Sequence, residues 1–314
     1  MMKRSALTPE ALETLILVAE EGSFAAAARK LGKVPSSLTY SMRQLEEDLD
    51  VLLFDRTSKH AKLTPAGLEL LHEGQRLLLE IDSIANRVKR VATGWEPELT
   101  IAFDSLISQK VLLEIVSDFL STSPPTRVRL RHEVLRGTWE TLVQGEADIA
   151  LGVAVNQSLP PGIQIQALGD LNFVFAVSPS HPLAKVEGFI SNEILMQHRA
   201  IAVADSVREF EPMTVGLLPG QDVLTVPTFA MKIQAQLLGL GCGFILEPMA
   251  RPYLAAGMLI EKQVKNDQRV AEIAYAWRGS RSSKKNDPSS GLALRWWLDA
   301  LSKPRTRHAL LQSY

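Results

Sequence analysis

The tightest constraint on this chain lies in its first ninety or so residues, where glycines, prolines and short polar caps cut the sequence into helix-length pieces. Thr8 stands before Pro9 and Glu10, the order that caps and starts a helix. Residues 8–21 therefore read as a first helix, with Leu12, Leu15, Ile16 and Ala19 at helical spacing on its apolar face. Gly22 ends it, Ser23 caps a second helix (FAAAARKLG), and Gly32 ends that one. Pro35-Ser36-Ser37 opens a third helix whose buried stripe is Leu38, Met42, Leu45 and Leu49. Three short helices joined by tight turns within about fifty residues specify a helix-turn-helix. Next, Leu52, Leu53 and Phe54 precede a polar, basic stretch over 55–62, and Leu63 returns to the core: a short two-stranded wing with a basic tip. Thr64-Pro65 repeats the capping signature and opens a helix over 65–93. Its apolar positions, Leu68, Leu71, Leu77, Leu78, Ile81, Ile84 and Val88, lie near heptad spacing, and its length suits a dimerising linker.

Gly94-Trp95-Glu96-Pro97 breaks this helix, and beyond it the periodicity changes. Strands are predicted at 99–103, 127–134, 147–155, 172–178, 200–204, 222–226, 243–246, 258–262 and 271–277. Helices are predicted at 106–121, 138–144, near 192–197, at 229–239, from Pro248 and at 290–301. Such alternation predicts an α/β region with parallel sheets and helices on both faces. Residues 280–290 read as a polar loop and the tail KPRTRH as solvated.

At 314 residues the chain is long enough for two or three domains, and 46% hydrophobic with 22% charged residues is ordinary globular composition. The single cysteine, Cys242, excludes an internal disulfide framework and reads as a buried strand thiol in GLGCGFIL. The N-terminus has no apolar signal region, and no stretch is apolar enough for a membrane span. The six histidines show no metal spacing, and the sequence has neither a GxGxxG loop nor a nucleophile elbow, so no catalytic residue, metal or cofactor is expected. A net charge of −1 does not oppose nucleic-acid binding, because basic residues cluster locally at Arg29, Lys30 and Lys33 and at Arg56, Lys59, His60 and Lys62.

Three segments carry a family resemblance: LETLILVAEEGSFAAAARKLG (12–32), LEEDLDVLLFDR (45–56) and KLTPAG (62–67). In order and spacing they resemble the winged helix-turn-helix of the LysR-type transcriptional regulators, and GLGCGFILEP (239–248) matches a short piece further on. The resemblance implies a DNA-binding domain over 1–63, a linker (dimerisation) helix over 64–94 and an effector-binding domain over 95–314. The last would resemble periplasmic binding proteins, with one lobe at 95–168 and 269–303 and the other at 169–268. It further implies a regulator, not an enzyme, working in the bacterial cytoplasm and associated with the nucleoid when bound. Its partners would be double-stranded operator DNA, a small-molecule effector, further copies of itself as dimer or tetramer, and RNA polymerase. Many members carry Gln-Pro-Ala at the start of the third helix and Ser-Arg-Gln soon after. This chain has Pro35-Ser36-Ser37 and Thr39-Tyr40-Ser41, so base preference does not carry over.

Reading DNA requires a helix that enters the major groove, donors that fix the backbone and flanking cations. Ser36, Ser37, Thr39, Tyr40 and Arg43 fill the polar side of the third helix. Ser23 and Thr64 stand at helix starts near phosphate height, and Arg56 and Lys59 lie in the wing. The alternative for the hydroxyls is plain helix capping, for Tyr40 packing against the wing, and for Arg43 simple exposure. Effector contacts are expected beyond the carboxyl ends of strands: Asp104 and Ser105, Val153, Ala204, Asp205 and Ser206, then Thr228 and Phe229. For Asp104, Asp205 and Thr228 the alternative is again capping. Two aspartates there favour a neutral or hydrogen-bond-donating effector over an anion. Taken without its first third, the α/β half also fits a solute-binding protein or a two-domain enzyme; the lack of a signal segment and of a catalytic constellation weighs against them.

Overall fold

The computed structural model describes residues 7–55, 61–155, 159–265, 269–279 and 291–314. The chain forms two compact units, Met1–Arg87 and Val88–Tyr314.

The first unit holds α1 (Pro9–Glu21), α2 (Phe24–Leu31), α3 (Pro35–Leu49) and the start of α4 (Pro65–Thr93). Thr8 Oγ1 accepts the Ala11 N–H at 3.2 Å and caps α1, while Gly22 and Gly32 close α1 and α2 in the left-handed conformation. The fully buried Ala27 and Ala28 form the inner face of α2 among Leu15, Val18, Leu38, Met42 and Leu45. Two expected stripes shift. On α1 the buried row steps through Leu12, Leu15 and Val18, which leaves Ile16 and Ala19 half-buried at its edge. On α3 Leu49 is half-buried and Glu46 is buried, because the Glu46 carboxylate turns under the wing. Phe54 pairs with Leu63 in an antiparallel bridge, and the Asp55 N–H donates to the Lys62 carbonyl at 2.8 Å. Gly67 is obligatory at the return of the wing, since a Cβ there would lie 2.1 Å from the Leu53 carbonyl oxygen.

The second unit runs β1 (Glu98–Asp104), α5 (Gln109–Ser121), β2 (Arg127–Glu133), α6 (Arg136–Val143), β3 (Ile149–Ala154), β4 (Ile163–Val177), α7 (Asn192–Leu195), β5 (Ala200–Val203), β6 (Val223–Val226), α8 (Phe229–Leu237), β7 (Gly243–Leu246), α9 (Glu247–Ala255), β8 (Ile260–Glu261), β9 (Arg269–Arg278), α10 (Leu292–Ser302) and α11 (Pro304–Gln312). The main sheet has the order β2-β1-β3-β9-β4-β7, with β8 on β4; β5 and β6 form a parallel pair.

The sheet corrects the expectation of parallel sheets: β1 pairs parallel with β2 and β3, but β9 is antiparallel to both β3 and β4, and β7 and β8 are antiparallel to β4. β3 and β4 run in the same direction, and β9, from late in the chain, lies between them and pairs antiparallel with both. β4 also begins earlier than predicted, since IQIQ over 163–166 forms a half-buried strand against β9. The tail KPRTRH (303–308) is exposed or half-buried throughout, as expected. It opens α11, whose following Leu310 and Leu311 are buried, and the Leu310 carbonyl accepts the Ser108 N–H at 2.9 Å. Trp296 and Trp297 of α10 pack around Phe119 of α5, with ring centroids 5.1 and 6.1 Å away. Cys242 is buried just before β7, and burial pushes its thiol up to about 12.

Candidate functional site

In the first unit, α3 has two faces. Leu38, Met42 and Leu45 point inward, while Ser36, Ser37, Thr39, Tyr40 and Arg43 are exposed, Tyr40 to 70%. Ser36, Tyr40, Arg43 and Glu47 follow one another at i+4 and i+3 steps, so they share a surface row. Ser37 Oγ donates to the Val34 carbonyl at 2.7 Å and Thr39 Oγ1 to the Pro35 carbonyl at 3.0 Å, bonds in which each hydroxyl uses its proton. Arg43 lies 3.4 Å from Glu47, an exposed pair of small energetic weight that a phosphate can displace.

Ser23 Oγ accepts the Ala26 N–H at 3.0 Å and caps α2. Thr64 Oγ1 accepts the Gly67 N–H at 3.0 Å and donates to the Leu52 carbonyl at 2.7 Å, so it both caps α4 and ties it to the wing. Arg56 and Lys59 lie outside the described residues. The Ala61 N–H donates to the Gly22 carbonyl at 3.0 Å, which seats the returning wing strand beside the α1–α2 turn.

The second unit encloses a cavity of about 360 Å³. Asp104, Val153 and Phe229 of the expected contacts line it; Ser105, Ala204, Asp205, Ser206 and Thr228 do not. The reason is local bonding. Ser105 Oγ stands 3.3 Å from His132 Nε2. The Ala204 N–H donates to the Val226 carbonyl at 2.9 Å. Asp205 accepts the N–H groups of Gly137, Val207 and Met213. Ser206 Oγ accepts the Val134 N–H at 2.9 Å and donates to Glu133 at 2.7 Å. Thr228 caps α8 by accepting the Met231 N–H at 3.1 Å. The bonds of Asp205 and Ser206, with three from the 208–210 amides to buried Glu140, fasten the loop after β5 to α6 and the residues just before it.

Asp104 ends β1 and is fully buried. Its Oδ1 accepts the Leu106 N–H at 2.8 Å and its Oδ2 the Leu135 N–H at 2.6 Å. Burial pushes the carboxyl up to about 7, against the pull of those two amides, and nearby Asp205 adds to the rise. Gly152 allows this packing, because a Cβ there would approach the Asp104 Cβ to 2.7 Å. Sequence reasoning missed Arg136, Trp139, Phe173, Lys232 and Phe244, all of which line the cavity. Arg136 lies just past the carboxyl end of β2, where the strand-end rule applies equally, and Lys232 is three residues beyond Phe229 on the same helical face. Lys232 Nζ stands 5.7 Å from the Phe229 ring centroid. Among the described residues no group of three or more His, Cys, Asp or Glu is placed to hold a metal ion, and no helix is long and apolar enough to cross a membrane.

A helix-turn-helix unit with an exposed polar third helix, followed by an α/β unit around a ligand-sized cavity, defines a DNA-binding transcription regulator with an effector domain. Residues 9–68 match the model of the bacterial regulatory helix-turn-helix protein, lysR family, and residues 92–303 that of the LysR substrate binding domain. The chain belongs to the LysR family of transcriptional regulators. It is 37% identical over 303 residues to the probable HTH-type transcriptional regulator YhaJ of Escherichia coli K12, covering 96% of this chain and 98% of that protein. It is 35% identical over 292 residues to the uncharacterized HTH-type transcriptional regulator YeeY of the same strain, covering 93% and 92%. Among solved structures, full-length CbnR complexed with its target DNA superposes with a TM-score of 0.60 at 19% identity, covering 95% of this chain and 99% of that one. These names are those of transcriptional regulators.

Proposed function

We propose that this regulator reads its operator with the Ser36, Tyr40 and Arg43 row of α3, flanked by Lys33 and the wing that carries Arg56 and Lys59, while Ser23 and Thr64 hold the helix starts that face the phosphates. Ser37 and Thr39 add acceptors at the groove. The cavity beside Asp104 is the effector site, with Val153 and Phe229 among its walls. Ser105, Ala204, Asp205, Ser206 and Thr228 then act by shaping the loops around it. The division into a DNA-binding domain over 1–63, a linker helix over 64–94 and two lobes beyond belongs to this reading. So does assembly into dimers or tetramers through α4, with RNA polymerase as a partner at the promoter. The chain acts in the cytoplasm, at the nucleoid when bound, by regulation and not by catalysis.

The observation that carries this reading is the exposed α3 row, because a chain whose first unit served only as scaffold has no reason to present serines, a tyrosine and an arginine side by side over a buried stripe. The test is a gel shift of the full-length protein on genomic fragments, beginning with the region upstream of its own gene. Retention of a discrete fragment that survives competitor DNA is expected. Failure to retain any fragment at low salt, where non-specific electrostatics are strongest, counts against it.

A further inference from the structure

We propose that the effector is a small organic anion with an apolar, single-ring body, its acid group held by Arg136 and Lys232. This rests on reading the cavity as the effector site. Three charged side chains line the cavity: Arg136, Lys232 and Asp104. The acid does not offset the two cations toward a ligand, because both of its oxygens are turned to backbone amides, those of Leu106 and Leu135. Burial also leaves it partly protonated near neutral pH. Asp205, the second carboxylate of this region, is not in the lining. The expectation of a neutral or donor-bearing effector rested on two aspartates facing the ligand, and the geometry removes that premise.

The two cations differ in kind. Lys232 is 6% exposed and stands over the Phe229 ring, a compact charge in an apolar wall. Arg136 lies at the first position of α6, and its Nη1 donates to the Glu211 carbonyl at 2.8 Å. That bond uses one of the five N–H donors of a guanidinium and fixes the plane in which the others are presented. Trp139, Phe173, Phe229 and Phe244 supply the rest of the wall with aliphatic side chains, and about 360 Å³ falls at the small end of the range for small-molecule sites, roughly 300–1,000 Å³. Apolar walls with a few fixed polar groups bind a hydrophobic body and orient it by one charged end.

The test is calorimetry and thermal shift on the full-length protein with benzoate, salicylate and phenylacetate, each against its amide, plus phenyl phosphate and benzylamine. At least one acid is expected to bind at least about tenfold more tightly than its amide, with benzylamine silent. Arg136→Gln and Lys232→Met are each expected to lose about that factor for the acid while any binding of the amide is unchanged. Preference for phenyl phosphate over every carboxylate keeps the anion and names a phosphate ester as its source. Amides that bind as well as acids, binding of the amine, or no binding by any acid overturns the proposal. Ala154→Trp fills the cavity from a half-buried position, and Met213→Trp does so from the exposed loop should the first not fold. Acid binding that survives filling places the ligand elsewhere and overturns the cavity reading too. Amide binding that filling abolishes leaves the cavity reading intact and removes only the anion.

Discussion

Glu46 Oε1 accepts the backbone N–H of Leu53 at 2.8 Å, so the third helix holds the first strand of the wing through a buried carboxylate. The same oxygen accepts the Phe54 N–H at 3.1 Å. Phe54 in turn lies against Phe24 of α2, ring centroids 5.0 Å apart, so the wing and the first two turns of the motif are set by one contact chain.

Removing that oxygen leaves two inward-facing amides without it. Glu46→Ala is expected to cost roughly 1–3 kcal/mol for each orphaned amide, read as a lower melting temperature of the full-length protein. Glu46→Gln retains Oε1 as an acceptor for both amides and is expected to recover most of the loss. Equal destabilisation by the two variants would show that the charge, not the acceptor, holds the wing.

On the α3 row the two prominent residues have separable signatures. Arg43→Ala removes the cation of the row, so it is expected to weaken operator binding and to lower the slope of log affinity against log salt by about 1. Tyr40→Ala removes an exposed apolar ring and is expected to reduce affinity for the operator by about 1–3 kcal/mol with the salt slope unchanged. Fluorescence anisotropy at four salt concentrations measures both. A change in slope for Tyr40→Ala would assign it to the backbone instead.

The helix-turn-helix was legible because its signals are local: Thr8, Ser23, Gly22 and Gly32 act on the backbone within a turn of where they stand. What escaped the sequence depends on partners far along the chain. Glu46 reads as a surface acid in LEEDLD until the wing folds over it. β9 is placed between β3 and β4 by pairing with residues about a hundred positions away, which no periodicity encodes. Leu310 and Leu311 look like a short apolar interruption in a polar tail, and only packing into the main core of the second unit buries them. At the cavity the rule that ligands gather at strand ends found Asp104 and Val153, yet Asp205 and Ser206 obey the same rule and are drawn off to backbone amides.

Asp104 gives the second unit a pH signature. Its carboxyl titrates near the ordinary 3.8 when unfolded and at about 7 when folded. Above pH 7 both states are ionised and the folded state bears the full cost of a buried charge. As pH falls through 7 the folded state takes up a proton that the unfolded state does not, so stability rises until pH nears 4. Between pH 8 and 6 the wild type is expected to gain on the order of 1 kcal/mol more than Asp104→Asn, which cannot titrate. Asp148, raised to about 6 by burial, acts in the same direction in both proteins and cancels in the comparison. Parallel curves from denaturant titrations would show that Asp104 keeps its ordinary protonation in the fold.

The apolar row of α4 carries the last prediction. Leu77, Ile81, Ile84, Val88 and Val91 are separated by steps of four, three, four and three, and each is exposed, from 38% at Ile81 to 86% at Val91. That is the spacing of a seam between helices, and a lone chain has no use for it. A second copy of α4 covers such a row by self-complementary contact, the same residues facing one another across a two-fold axis. Ile84→Asp and Val88→Asp place a charge in the seam. Because both sites are exposed within one chain, the substitutions are expected to change the stability of the isolated fold by no more than about 0.5 kcal/mol. Light scattering on the wild type is expected to give twice or four times the chain mass, and on the double variant a lower multiple. Operator affinity is expected to fall with the mass, since one recognition helix then reaches one half-site. An unchanged mass in the double variant would move the self-association surface off α4.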